Sequence, residues 1–131
     1  MTIKETIEMV ETFHNAFGIE NRQEPTAELS VSEQELRYRL MAEENDEYRE
    51  AVKNEDLIEI ADALGDQLYI LCGSILKHGL QHKISEVFKE IQRSNMSKLD
   101  EDGKPIYRAD GKVLKSELYF KPDIKTILDK N

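Results

Sequence analysis

The chain has 131 residues, 39% hydrophobic and 34% charged, with a formal net charge of −9. That length allows one domain with a real core, and the composition suits a soluble, helix-rich protein rather than a disordered one. So acidic a chain is a poor general binder of nucleic acid backbone, and no apolar run reaches membrane-spanning length.

The start, MTIKETIEMVETF, is amphipathic and acidic, unlike a signal peptide. It opens a helix expected from Thr2 to about Phe17, with Ile3, Ile7, Val10, Phe13 and Phe17 on its apolar face and Gly18 at its end. Glu11 and His14 make one Glu-x-x-His, the spacing of di-iron carboxylate bundles, but no second copy follows. His14 is therefore read as structural or substrate-facing. Residues 18–30 form a polar connection containing Pro25, long enough to serve as a lid.

Ser32 with Glu35 has the spacing of a capping box, opening a second helix that runs to about Lys53. Leu36, Leu40, Glu43 and Glu47 follow one stripe of it, with Glu44 beside them. Arg37, Arg39 and Arg49 read as surface partners of nearby glutamates such as Glu33 and Glu35. After a tight turn at Asn54, a third helix is expected from about Glu55 to Lys77. Its stripe Ile58, Ala61, Leu64, Leu68, Leu71 and Ile75 reads as core, and Glu59, Asp62 and Asp66 lie beside it. Asp56 and Glu59 also have the spacing of a cap. Cys72, the single cysteine, reads as a buried residue of a reducing compartment.

Antiparallel packing of these two helices points both acidic sets into one cleft. Two unit charges about 4 Å apart repel by about 4 kcal/mol at an effective dielectric near 20. Several such pairs either raise pKa values or call for a cation. Oxygen-only ligands suit Mg²⁺, with Mn²⁺ as a substitute.

His78-Gly79 closes the third helix, and His78 with His82 makes only a poor zinc pair because Gly79 intervenes. A fourth helix is expected from about Lys83 to Asn95, burying Ile84, Val87, Phe88 and Ile91. The charge changes sign here: residues 1–82 carry −11 and residues 83–131 carry +2. In the tail, Asp102-Gly103 and Asp110-Gly111 flank Lys104–Ala109, which predicts a hairpin or irregular extended segment, then a brief helix begun by Pro122. Asn95, Lys98, Tyr107, Lys112 and Lys121 are the residues suited to phosphate or a base. No Walker loop and no GxGxxG is present. Four helices of this kind predict a single all-α domain over 1–131, with a helical core over about 2–96 and a tail over 97–131.

Glu43-Glu44-Asn45-Asp46-Glu47 matches an EExxE element, and Glu59-Ile60-Ala61-Asp62 an ExxD element. In both, the chain resembles the all-α NTP pyrophosphohydrolases, which include MazG-type enzymes, dimeric dUTPases and phosphoribosyl-ATP pyrophosphohydrolase. SNMSKLDEDGKPIYRADGKVLK with FKPDI resembles the C-terminal signature of a small phosphoribosyl-ATP pyrophosphohydrolase-like subgroup, and the likeness runs from about Phe13 to Ile124. It implies a MazG-like four-helix bundle in which Glu43, Glu47, Glu59 and Asp62 hold Mg²⁺. Glu44 is then a ligand or the base, and Glu47 serves catalysis as well as the metal. Asp66 is an additional candidate on helical geometry alone. The activity implied is conversion of a (d)NTP and water to a (d)NMP and pyrophosphate in nucleotide-pool house-cleaning. The expected partners are that substrate and a second copy, as a homodimer or dimer of dimers, with no nucleic acid and no membrane, in the cytoplasm. The competing reading is a non-catalytic helical module that binds a nucleotide or protein and keeps the acidic cleft.

Overall fold

The computed structural model describes residues 1–130. In chain order the elements are α1 (Ile3–Ala16), α2 (Val31–Lys53), α3 (Leu57–Lys77), α4 (Ile84–Met96), β1 (Ile106–Tyr107), β2 (Val113–Leu114) and α5 (Ile124–Asp129). The fold is all-α, as expected: four long helices, then a short tail with a small hairpin. Its contacts group into two compact units, Met1–His82 and the residues from Lys83 onward. This division falls where the sequence charge changes sign, and it places α4 with the tail rather than with the helices before it.

In the first unit, each helix starts where a side chain satisfies an orphan N–H. Thr2 accepts from Glu5 N at 3.1 Å to open α1. Ser30 opens α2 in a reciprocal box with Glu33. The predicted Ser32–Glu35 box is therefore displaced by two residues. Ser30 is the last residue in extended conformation, whereas Ser32 and Glu35 already lie inside the helix. Asp56 opens α3 by accepting from Glu59 N at 3.1 Å.

α2 and α3 form an antiparallel helical hairpin closed by only Asn54, Glu55 and Asp56. Glu55 takes a φ of +51°, left-handed backbone that costs a side-chain-bearing residue roughly 1–2 kcal/mol. Pairing fixes the direction: Arg37 on α2 bonds to Ile70 and Ser74 on α3, and one stretch further Gln67 bonds to Asn45. α1 packs on α3. The buried apolar side chains are Ile7 and Val10 of α1, Ala51 of α2, and Ala63, Cys72, Ile75 and Leu76 of α3. Cys72 is buried, as expected.

The predicted core stripe of α3 is only partly core. Ile75 is buried, but Ile58 is 80% exposed, Leu64 49% and Leu68 44%, and Ala61 and Leu71 are exposed as well. On α1, likewise, Phe13 and Phe17 remain exposed. Helical periodicity identifies an apolar face but does not say what covers it.

Residues 18–30 are fastened to the C-terminal end of α3. Arg22 N donates to Leu76 O at 3.0 Å and Thr26 N to His78 O at 2.9 Å. His78 Nδ1 lies 2.8 Å from Thr26 O, and Lys77 Nζ donates to Glu20 O at 2.6 Å. Gly79, at φ +65°, is required there because an added Cβ would stand 2.1 Å from Glu24 O. So anchored, the segment is a strap on the end of α3.

In the second unit, α4 holds the tail by hydrogen bonds. Ser94 Oγ donates to Phe120 O at 2.8 Å, Ser116 Oγ to Ser97 O at 3.0 Å, and Asp123 N to Glu90 at 2.6 Å. Arg93 sits 4.3 Å over the Phe120 ring. Phe88, predicted to be buried, is 70% exposed. The hairpin pairs Ile106 with Leu114 and Tyr107 with Val113 across the Asp110-Gly111 turn. α5 is capped by Asp123, whose side chain accepts from Thr126 N, so Pro122 precedes the cap instead of beginning the helix. Among the described residues no helix is long and apolar enough to cross a membrane.

Candidate active site

The inward stripe of α2 is Glu33, Arg37, Leu40, Glu44 and Ala51, with Glu47 on the same line. Steps of four and three residues keep it facing α3 along the whole hairpin. This stripe keeps Leu40 and Glu47 of the predicted one but takes Arg37 and Glu44 in place of their neighbours Leu36 and Glu43. Glu44 therefore points inward. Glu43 points to solvent, with its side chain 60% exposed and Arg39 at 4.0 Å.

Glu44 Oε2 is buried and has no hydrogen-bond partner. Burial first, then a contact with Glu47 and the charges of Glu47, Asp66 and Asp62, push the Glu44 carboxyl up to about 7. Burial also raises Asp66, helped by Asp62 and Glu47. Two ionised carboxylates cannot donate to each other, so the Glu44–Glu47 contact is favourable only when a proton or a cation lies between them. Glu44, Glu47, Asp62 and Asp66 are thus one electrostatic group. Glu59 stands apart in the first turn of α3, exposed, where Asp56 caps its N–H.

Among the described residues, no three of these groups converge as a ready-made metal cage. The donor set nevertheless fits a hard divalent cation, which keeps several waters and needs only one or two carboxylates beside substrate phosphates. The orphaned Glu44 Oε2 is the atom such an ion would satisfy.

His14 lies outside the acidic group. It is 3% exposed, and its Nδ1 is 2.6 Å from Asn21 Oδ1. Burial lowers its pKa, assisted by the charges of Arg37 and Lys77, so the ring is neutral near pH 7. The other candidates belong to the second unit. Asn95 is on the last turn of α4 and exposed, and Lys98 follows it. Tyr107 is on β1 and 61% exposed, Lys112 is in the hairpin turn, and Lys121 is exposed before α5.

Two features are absent from the sequence reading. Arg37 is no surface partner: its Nε donates to Ser74 Oγ at 3.1 Å and its Nη2 to Ile70 O at 2.8 Å. Glu33 is the centre of an ion cluster, bound by Arg22 at 2.8 Å and by Lys77 at 2.9 Å, which together hold its carboxyl far below the usual range. The four-three spacing from Glu33 through Ala51 was the signal for the first. Nothing local in the sequence predicts the second, because its cations come from the strap and from α3.

A comparison with curated proteins found no match for the chain. The family model described as phosphoribosyl-ATP pyrophosphohydrolase matches residues 10–95. That span, about two thirds of the chain, includes the whole α2–α3 hairpin and its carboxylates. The chain belongs to the phosphoribosyl-ATP pyrophosphohydrolase family, within the MazG-like all-α NTP pyrophosphohydrolases.

Proposed function

We propose that the protein is a divalent-metal-dependent pyrophosphohydrolase that converts a nucleoside triphosphate to its monophosphate and pyrophosphate. The observation that carries this reading is Glu44: its Oε2 is buried and unpartnered, and burial first, then Glu47, Asp66 and Asp62, push its carboxyl up to about 7. Family enzymes generally use a divalent metal, and Mg²⁺ is the ion that an all-oxygen donor set favours, with Mn²⁺ as a substitute. Glu44, Glu47, Asp62 and Asp66 would hold it, with Glu43 and Glu59 at the margin. When bound, the ion supplies neutralisation of the phosphate oxygens and polarisation of phosphorus.

The chain's own part is proton handling and positioning. A carboxylate beside the bound water is suited to take a proton from it. In the proposed step, Glu44 accepts that proton as the water oxygen bonds to the α-phosphorus. The bond from the α-phosphorus to its bridging oxygen breaks, and pyrophosphate leaves. Glu47 orients Glu44 through their contact. Lys98, Lys112 and Lys121 are proposed as counter-charges for phosphate, and Asn95 and Tyr107 as contacts to the rest of the nucleotide. A second copy of the chain is the proposed cover for the exposed apolar face of α3, giving a homodimer or a dimer of dimers.

The test is product analysis over a panel of NTPs and dNTPs, phosphoribosyl-ATP included, with Mg²⁺ or chelator. Monophosphate with pyrophosphate, formed only with the metal and lost in Glu47→Gln, is the expected result. Diphosphate with phosphate would place the cleaved bond elsewhere. No turnover on any member would leave a binding module.

A further inference from the structure

The first unit contains a cavity of about 260 Å³ directly beside the acidic group. Leu40, which lines it, is one turn before Glu44 on α2, and Ile70, which also lines it, is one turn after Asp66 on α3. One turn is about 5.4 Å. The cavity is smaller than the roughly 300–1,000 Å³ typical of drug-sized ligands, so it suits one ring system rather than a whole nucleotide.

Its lining is apolar apart from the ion-paired Glu33 and Lys77 and two further groups, Arg37 and His14, which approach one another beside Gly73. A Cβ on Gly73 would stand 2.7 Å from Arg37 Nη2 and 3.2 Å from His14 Nε2. Arg37 is half-buried and has no carboxylate partner among the described residues. A hydroxyl and a main-chain carbonyl take two of its five N–H groups. The remaining N–H groups of Arg37 are available to a ligand. His14 supplies the complement: with Nδ1 donating to Asn21 Oδ1, the neutral ring keeps Nε2 as an acceptor. At the exposed end, Phe13 and Tyr69 meet edge to face, with centroids 5.7 Å apart, and offer aromatic surface to a planar ring.

We infer that this cavity is the nucleobase pocket of the enzyme, with Arg37 donating to a ring carbonyl oxygen and His14 Nε2 accepting from the adjacent ring N–H. The substrate class is therefore a nucleotide with an oxo base of the uracil, thymine or guanine kind. This rests on the pyrophosphohydrolase reading above, from which the triphosphate lies at the acidic group one turn away.

The experiment follows the His14 ring signal by NMR while dGMP, dUMP or dAMP is added without metal, in parallel with the hydrolysis assay. Either dGMP or dUMP should move the signal saturably, and dAMP should bind about tenfold more weakly, as expected when a buried donor loses its acceptor. Leu40→Phe, which fills the cavity, should abolish the shift. Phe13→Ala, at the partly exposed rim, should weaken binding of the oxo nucleotide severalfold with the helical signal retained. Hydrolysis of nucleotides with the His14 signal unmoved by any monophosphate overturns the pocket and leaves the activity standing. Binding of dAMP as tight as that of both oxo nucleotides overturns the carbonyl assignment. Absence of both binding and hydrolysis removes the activity and the pocket together.

Discussion

Glu44 sets how the protein responds to pH. Its carboxyl holds a proton up to about pH 7 in the folded chain and only to its ordinary 4.5 when unfolded. Between those values the folded state binds more protons, so this group's contribution to stability is full below pH 4.5 and declines as pH rises through 7. His14, whose pKa is lowered, acts in the opposite sense, so the informative comparison is between wild type and Glu44→Gln. The variant should melt a few degrees above wild type at pH 8 and nearly level with it at pH 4.5, as thermal unfolding without divalent ions would show. Mg²⁺ at pH 8 should raise the wild-type midpoint and leave that of the variant nearly unchanged. The sequence revealed that carboxylates gather on α2 and α3, but not which of Glu43 and Glu44 turns inward. Adjacent residues differ by about 100° on a helix, and the phase is marked by the burial of Ala51 and the bonds of Arg37 to α3.

At the scale of elements, the capping of α2 separates the sequence reading from the structure most sharply. Ser30→Ala should cost about 1 kcal/mol in denaturant unfolding, whereas Ser32→Ala should cost at most a few tenths. Equal effects would mean that the box is not at Ser30. The helices themselves were legible to within a residue or two, because their apolar periods and breakers are local. The strap was not, since its course depends on hydrogen bonds to Leu76 and His78, far away in sequence. Gly79→Ala checks that course. With Glu24 O only 2.1 Å from the added Cβ and a left-handed backbone, the variant should lose more than about 2 kcal/mol.

For the whole molecule, the exposed apolar face of α3 is the surface on which the proposed dimer rests. Burying one Leu-sized side chain is worth roughly 1.5–3 kcal/mol, so Leu64 and Leu68 are the most sensitive positions in the proposed dimer. Leu68→Glu should shift the sedimentation of the protein at micromolar concentration from dimer to monomer, with the helical signal retained. A wild-type protein that sediments as a monomer would remove the dimer from the reading. Composition and period identified that stripe as apolar, yet a single chain's sequence cannot say whether its own helices or a partner's cover it.

The link of Asn54, Glu55 and Asp56 has a further consequence in time. It makes the acidic group local, confined to residues 44 through 66. Helical hairpins form in microseconds to milliseconds, whereas a ribosome adds roughly 5–20 residues per second. The four carboxylates therefore meet seconds before the lysine-rich remainder of the chain has been made. During synthesis, the repulsion among them thus arises before the positive charges of residues 83–131 are all in place.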